Sequence, residues 1–195
     1  MMMIDVNRQS ARNGGINISG NGNVIAPNAK TLQVCSDRKP LTKTAIYDLL
    51  RAFQSTCPRS DDDTLEKPMP FKGKLRYNGV RRYHRIFDSY SVEYGYLDGM
   101  LQDFADSNDI IRQLGDIFVW VADCDEDGNP VVSDGDTVLD GIKEQLVEKI
   151  TGSLDFDKDR YRDTDIEKFV YALMACGVHR CKVLVNENSV KRGEK

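Results

Sequence analysis

Three stretches of this chain carry residue types that could do chemistry. The first is DCDEDGNPVVSDGD. Asp123, Asp125, Asp127 and Gly128 follow the opening of a calcium loop, where oxygen ligands alternate and a glycine makes the turn. The pattern then fails: Pro130 stands where an apolar residue belongs and Asp134 where the closing glutamate belongs, so the stretch reads as a solvated acidic loop. The second is Cys176, His179 and Cys181. Cys176 and His179 are three apart on one helix and could share a metal, but the only other histidine is His84, so four ligands cannot be assembled from a second cluster. A Cys-His nucleophile needs a third group to orient it, and none is evident. The third is basic. Lys72, Lys74, Arg76, Arg81, Arg82 and Arg85 occur without one acid between them, with Tyr77 and Tyr83 interleaved. Charge with stacking is how nucleic acid is held. The same stretch complements residues 123–136, with six acids and no base, so self-association or an intramolecular clamp fits it equally. No phosphate-binding glycine loop, Ser-His-Asp order or paired-carboxylate signature stands out, and the residues point to no catalytic, cofactor or metal site.

The elements that would position these groups are helical. The 195 residues suffice for one domain with a small appendage, and a formal net charge of -4 gives no global attraction to nucleic acid. Residues 164–185 organise the rest. Ile166, Phe169, Val170, Leu173, Met174, Val178, Cys181 and Leu184 keep helical spacing, with Asp165, Glu167, Lys168 and Tyr171 turned outward. Thr164 and Glu167 are spaced as a capping box. A second long element starts at Asn78. Val80, Tyr83, Phe87, Tyr90, Tyr94, Leu97, Leu101 and Phe104 alternate three and four apart, which predicts one helix over 78–105. Gly95 and Gly99 leave a bare stripe on it where another helix could approach, or a break near Gly95. Further helices are expected over 41–55, from 106 or 107 through Val121 with Trp120 at the seam edge, and over 137–151.

Ahead of this body, residues 13–34 hold short apolar-alternating pieces, including Ile16, Ile18, Val24 and Ile25. Gly20, Asn21 and Gly22 suit a tight hairpin. Two such strands need another sheet edge, so the arm would pair with copies of the chain or with a partner; a flexible Asn/Gly linker is the alternative. The expected fold is therefore mainly α, a four-to-five-helix antiparallel bundle with a short N-terminal β-hairpin arm. Its parts are 1–35 tail and arm, 36–70 helix and linker, 71–186 helical body and 187–195 tail. No apolar run approaches the roughly 20 residues of a bilayer span, and the N-terminus shows no signal-peptide core. The five irregularly spaced cysteines read as reduced thiols, so a cytoplasmic location is expected.

Residues 70–188 resemble the C-terminal domain of ABC-three-component, Lamassu-like bacterial conflict systems. The resemblance rests on the opening Leu75-Arg76-Tyr77-Asn78, the closing Arg180-Cys181-Lys182-Val183 and the preceding GNGNVIAPNA. It implies a domain that docks an effector to an SMC-like ABC ATPase and a small middle subunit, restraining the effector until foreign DNA is sensed. The 69 residues before the domain are short for the usual effector, and Gly177-Val178-His179 stands where the family tends to have bulky apolar residues. The expectation is a non-enzymatic adaptor that self-associates, touches nucleic acid weakly or indirectly and makes no membrane contact. Its partner-binding candidates are Ile16, Ile18, Val24, Ile25, Lys74, Arg76, Arg81, Arg82, Arg85, Arg180 and Lys182. The alternative is a small nucleic-acid-binding regulator acting through residues 72–85.

Overall fold

In a computed structural model, the described residues are 40–57, 70–180 and 182–186. The arm residues Ile16, Ile18, Val24 and Ile25, and Cys181, lie outside them. Among the described residues there are seven helices: α1 Lys43–Gln54, α2 Phe71–Tyr77, α3 Arg82–Ser89, α4 Ser91–Asp103, α5 Ser107–Val121, α6 Gly135–Gly152 and α7 Asp163–His179. A two-residue antiparallel pair, β1 Asp123–Cys124 and β2 Pro130–Val131, joins α5 to α6, with Asp123 opposite Val131. The protein is mainly α, as the periodicity predicts. No helix among the described residues is long and apolar enough to cross a membrane.

The centre is α7. It packs against every other helix, and Ala172 to Val178 are all buried. A helix apolar on all sides belongs inside a core. Glu167 does not close a capping box with Thr164. Two residues earlier the Asp165 carboxylate accepts the backbone N–H and the Nε–H of the N-cap residue Arg162, each at 3.4 Å, and Glu167 instead accepts a bond from Lys143 Nζ at 2.8 Å. The core around α7 draws Leu41, Ile46, Leu49, Leu50 and Phe53 from α1 and its entry, Leu97 and Leu101 from α4, Ile110 and Leu114 from α5, and Ile142, Leu146 and Ile150 from α6.

The single helix expected over 78–105 is two helices, α3 and α4, and the first starts only at Arg82. Asn78 does not start a helix; it is the C-cap of α2. Gly79 follows with φ +69°, Gly79 N bonds Arg76 O at 3.1 Å, and Val80 N bonds Leu75 O at 2.9 Å. That is the Schellman ending, for which glycine after the cap is the favoured residue, so Asn-Gly stops a helix here. The second break falls at Tyr90, not Gly95. Tyr90 has φ -113° and ψ 23°, and its ring stacks on Tyr171 of α7 at 5.0 Å between centroids. Bending there lets Tyr83 and Phe87 on one side, and Leu97 and Leu101 on the other, all reach the core. The seam residues are thus apolar for the reason inferred, but on a bent path. The bare stripe at Gly95 and Gly99 meets nothing within 4 Å of either position, so it faces outward. Trp120 is not at a seam: it is 81% exposed.

The helical spacing read through Leu184 also ends early. After His179 the chain folds back: Lys182 N and Val183 N both bond Gly177 O, and Leu184 has φ +70°. Val183 and Leu184 are buried. A Cβ at Gly177 would sit 2.7 Å from Val183 Cγ2, so the glycine makes room for this return.

Candidate interaction surface

The turn Asn78-Gly79-Val80 joins the two ends of the helical body. Asn78 is nearly fully buried. Its Nδ2 donates to Lys74 O and to Val185 O, each at 2.9 Å, and its Oδ1 accepts Val185 N at 3.0 Å. Lys74, fully buried, directs Nζ toward Val178 O at 3.5 Å, at the negative end of the α7 dipole. The backbone of Asn78 is used as well: its carbonyl accepts Gly135 N at 2.9 Å, the first residue of α6.

α6 also fixes the start of α3. The Asp136 carboxylate accepts three backbone N–H groups: Arg81 at 3.1 Å, Arg82 at 3.0 Å and Tyr83 at 3.3 Å. These are donors that a helix N-terminus leaves without intrahelical partners, here satisfied from another helix. One turn on, Asp140 accepts Arg82 Nη2 at 2.6 Å and the Tyr83 hydroxyl at 2.8 Å. Burial, reinforced by that bond to a carboxylate, pushes the Tyr83 phenol far up. Desolvation works against the Asp140 carboxylate, but Arg82 and Tyr83 outweigh it and hold the group below the usual carboxylate range.

This geometry divides the basic stretch. Lys74 is in the core and is not a surface cation. Arg82 is neutralised by its own chain, the intramolecular clamp that the charge pattern allowed. Arg76, Arg81 and Arg85, with Lys72, are exposed on α2 and α3 and form no ion pair among the described residues. Arg180 is half-buried and pairs with Asp98 at 3.0 Å, and Lys182 packs over Gly115. Neither joins the α2–α3 surface as an exposed cation.

The acidic loop is the tip of the β1–β2 hairpin. Asp125 Oδ1 accepts Asn129 N at 2.8 Å and Asp127 N at 3.0 Å, bonds that lower its pKa, and Gly128 turns with φ +80°. Asp125, the third position of the calcium-loop pattern, thus spends an oxygen on its own turn. Among the described residues no group of three His, Cys, Asp or Glu side chains is placed to hold a metal ion. Cys176 is buried, which raises its thiol to about 11, and the His179 ring lies against Phe71 and Tyr94. Cys57 borders a shallow cleft with Arg51, Gln54 and Asp106; burial raises its thiol to about 12, so it stays protonated.

Comparison with family models, with curated proteins and with solved structures finds no match. Two residues central to this surface were not singled out from the sequence. In the sequence Asp136 is one more acid of the loop and Gly135 carries no mark of its own; a Gly-Asp pair immediately ahead of an apolar-periodic run is their only local signal.

Proposed function

We propose that this chain is a non-enzymatic adaptor subunit of a cytoplasmic, Lamassu-like ABC-three-component defence complex, docking to an SMC-like ABC ATPase. The observation that carries the reading is the meeting of the two ends of the resemblance. Leu75-Arg76-Tyr77-Asn78 and the segment after Arg180 are about a hundred residues apart, yet Asn78 exchanges hydrogen bonds with Val185, and Lys74 reaches the end of α7. The motif residues then act as the fastening of one helical unit, which is what a docking domain requires. Gly177, a departure from the family pattern, fits the same reading, because it admits Val183 to the core. In this proposal the helices form the antiparallel bundle, and residues 13–34 act as a β-hairpin arm that pairs with copies or partners.

The docking face proposed for the ATPase is the outer side of α4. Val92, Gly95, Tyr96 and Gly99 are exposed and uncharged, and Tyr47 of α1 is exposed too. Small residues four apart let a second helix come close, and an exposed tyrosine offers contact area at low entropic cost. The test is co-expression with an SMC-like ABC ATPase encoded beside this chain. Stable co-elution is expected, with a tenfold or greater loss of affinity on Tyr96→Glu with Gly99→Arg while circular dichroism is unchanged. Absence of co-elution by folded wild-type protein overturns the proposal.

A further inference from the structure

We propose that the α2–α3 surface and the β1–β2 hairpin form one self-complementary interface through which two copies of this chain associate. The inference stands on charge placement and does not need the adaptor reading. Arg82, Arg112, Arg160, Arg162 and Arg180 each meet an aspartate within the chain. Lys72, Arg76, Arg81 and Arg85 do not pair among the described residues, although the chain has an excess of acids. The hairpin carries the opposite surplus: Asp123, Asp125, Glu126 and Asp127 are exposed and form no ion pair among the described residues.

The two surpluses belong to one end of the body. Asp123 is opposite Val131 in the hairpin, and four residues later Gly135 is hydrogen-bonded to Asn78, the turn between the two cationic helices. Four residues reach at most about 14 Å, which bounds the distance between the hairpin root and the turn that joins the cationic helices. A patch with both signs side by side matches a second copy turned through a two-fold axis, cations of one on acids of the other. A polyanion such as duplex DNA meets repulsion from the hairpin acids next to any attraction from the arginines, so a second copy is the better occupant. Exposed ion pairs add little affinity individually and mainly set register. The apolar anchor is Trp120 with Val119, 81% and 51% exposed, in the last turn of α5 just ahead of Asp123.

Light scattering and analytical ultracentrifugation of the full chain test this. The expected result is a dimer that dissociates as sodium chloride rises from about 20 to about 500 mM. Arg76→Glu with Arg81→Glu and Arg85→Glu should be monomeric, as should Asp123→Lys with Glu126→Lys and Asp127→Lys. Mixing these two variants should restore a one-to-one dimer, because each reversed patch then meets its complement. Trp120 is the only tryptophan, so its emission should shift to the blue as the dimer forms. A wild type that stays monomeric at low salt, charge-reversed variants that remain dimeric, or a mixture that stays monomeric overturns the proposal. So does wild-type binding to duplex DNA at concentrations below self-association, which would assign the cations to nucleic acid. Failure to capture an ATPase leaves this result unaffected, which separates the two proposals.

Discussion

At Gly135 a hydrogen atom is all that fits. A Cβ there would lie 2.4 Å from Asn78 O and 2.5 Å from Val80 Cγ2, and the first of these is backbone that cannot step aside. Gly135→Ala should therefore lower stability by about 1–3 kcal/mol through overpacking at the α2–α6 contact. Gly95 and Gly99 are the converse case. Both are inside α4 with nothing within 4 Å of the Cβ position, so alanine there should raise stability by about 0.5–1 kcal/mol each by restricting the unfolded chain. Urea midpoints of the three variants check both signs at once. The sequence shows all three as glycines in or beside helical patterns. Only the distance to a neighbour distinguishes the glycine that must stay from the two that need not, and that neighbour is more than fifty residues away.

At the scale of elements, α3 depends on a carboxylate that belongs to α6. Asp136→Ala leaves three backbone donors of α3 without their acceptor and should cost about 2–3 kcal/mol. Hydrogen exchange at Arg82 and Tyr83 should rise more than in α7. The neighbouring Asp134 and Asp140 carboxyls are held below their ordinary range, Asp134 chiefly by Thr137 and Asp140 by Arg82 and Tyr83 against its desolvation. Since the unfolded chain takes up these protons first, their contribution is complete at neutral pH and persists down to roughly pH 4. It is then lost as pH falls through the lower folded values. Asp140→Asn should flatten that acid limb, by less than about 1 kcal/mol because the pair is largely exposed. Helical spacing revealed which residues of 78–105 turn inward, because burial imposes that spacing wherever the chain is helical. It did not reveal the breaks at Asn78-Gly79 and Tyr90. The first needed the glycine read as a C-cap signal, and the second is set by the Tyr171 ring on another helix.

For the whole molecule, the return of residues 182–186 makes the end of the chain part of its core. A chain ending at Arg180 loses Val183 and Leu184, both buried, and the partner of Asn78. Burial of two aliphatic side chains at about 1.5–3 kcal/mol each makes the expected loss about 3–6 kcal/mol, enough to unfold a domain of ordinary stability. Thermal denaturation of the truncated chain measures it, and full retention of stability would show that the return contributes little. The same fastening fixes where the charges stand, and so bears on the proposed dimer. With Asn78 tied to Val185 and Gly135, the hairpin root and the α2–α3 turn cannot drift apart without breaking buried hydrogen bonds.

By itself the sequence determined the class of the fold and most of its core, because apolar spacing at 3.6 residues is a local consequence of burying one face of a helix. It also identified the stretch around which the core closes, since few segments of this chain are as continuously apolar as α7. Only the tertiary structure decided which cations remain exposed. Lys74 and Arg76 are two residues apart and chemically similar, yet one lies under the end of α7 and the other in solvent. That difference depends on groups a hundred residues distant, and no local pattern encodes which charges such partners will neutralise.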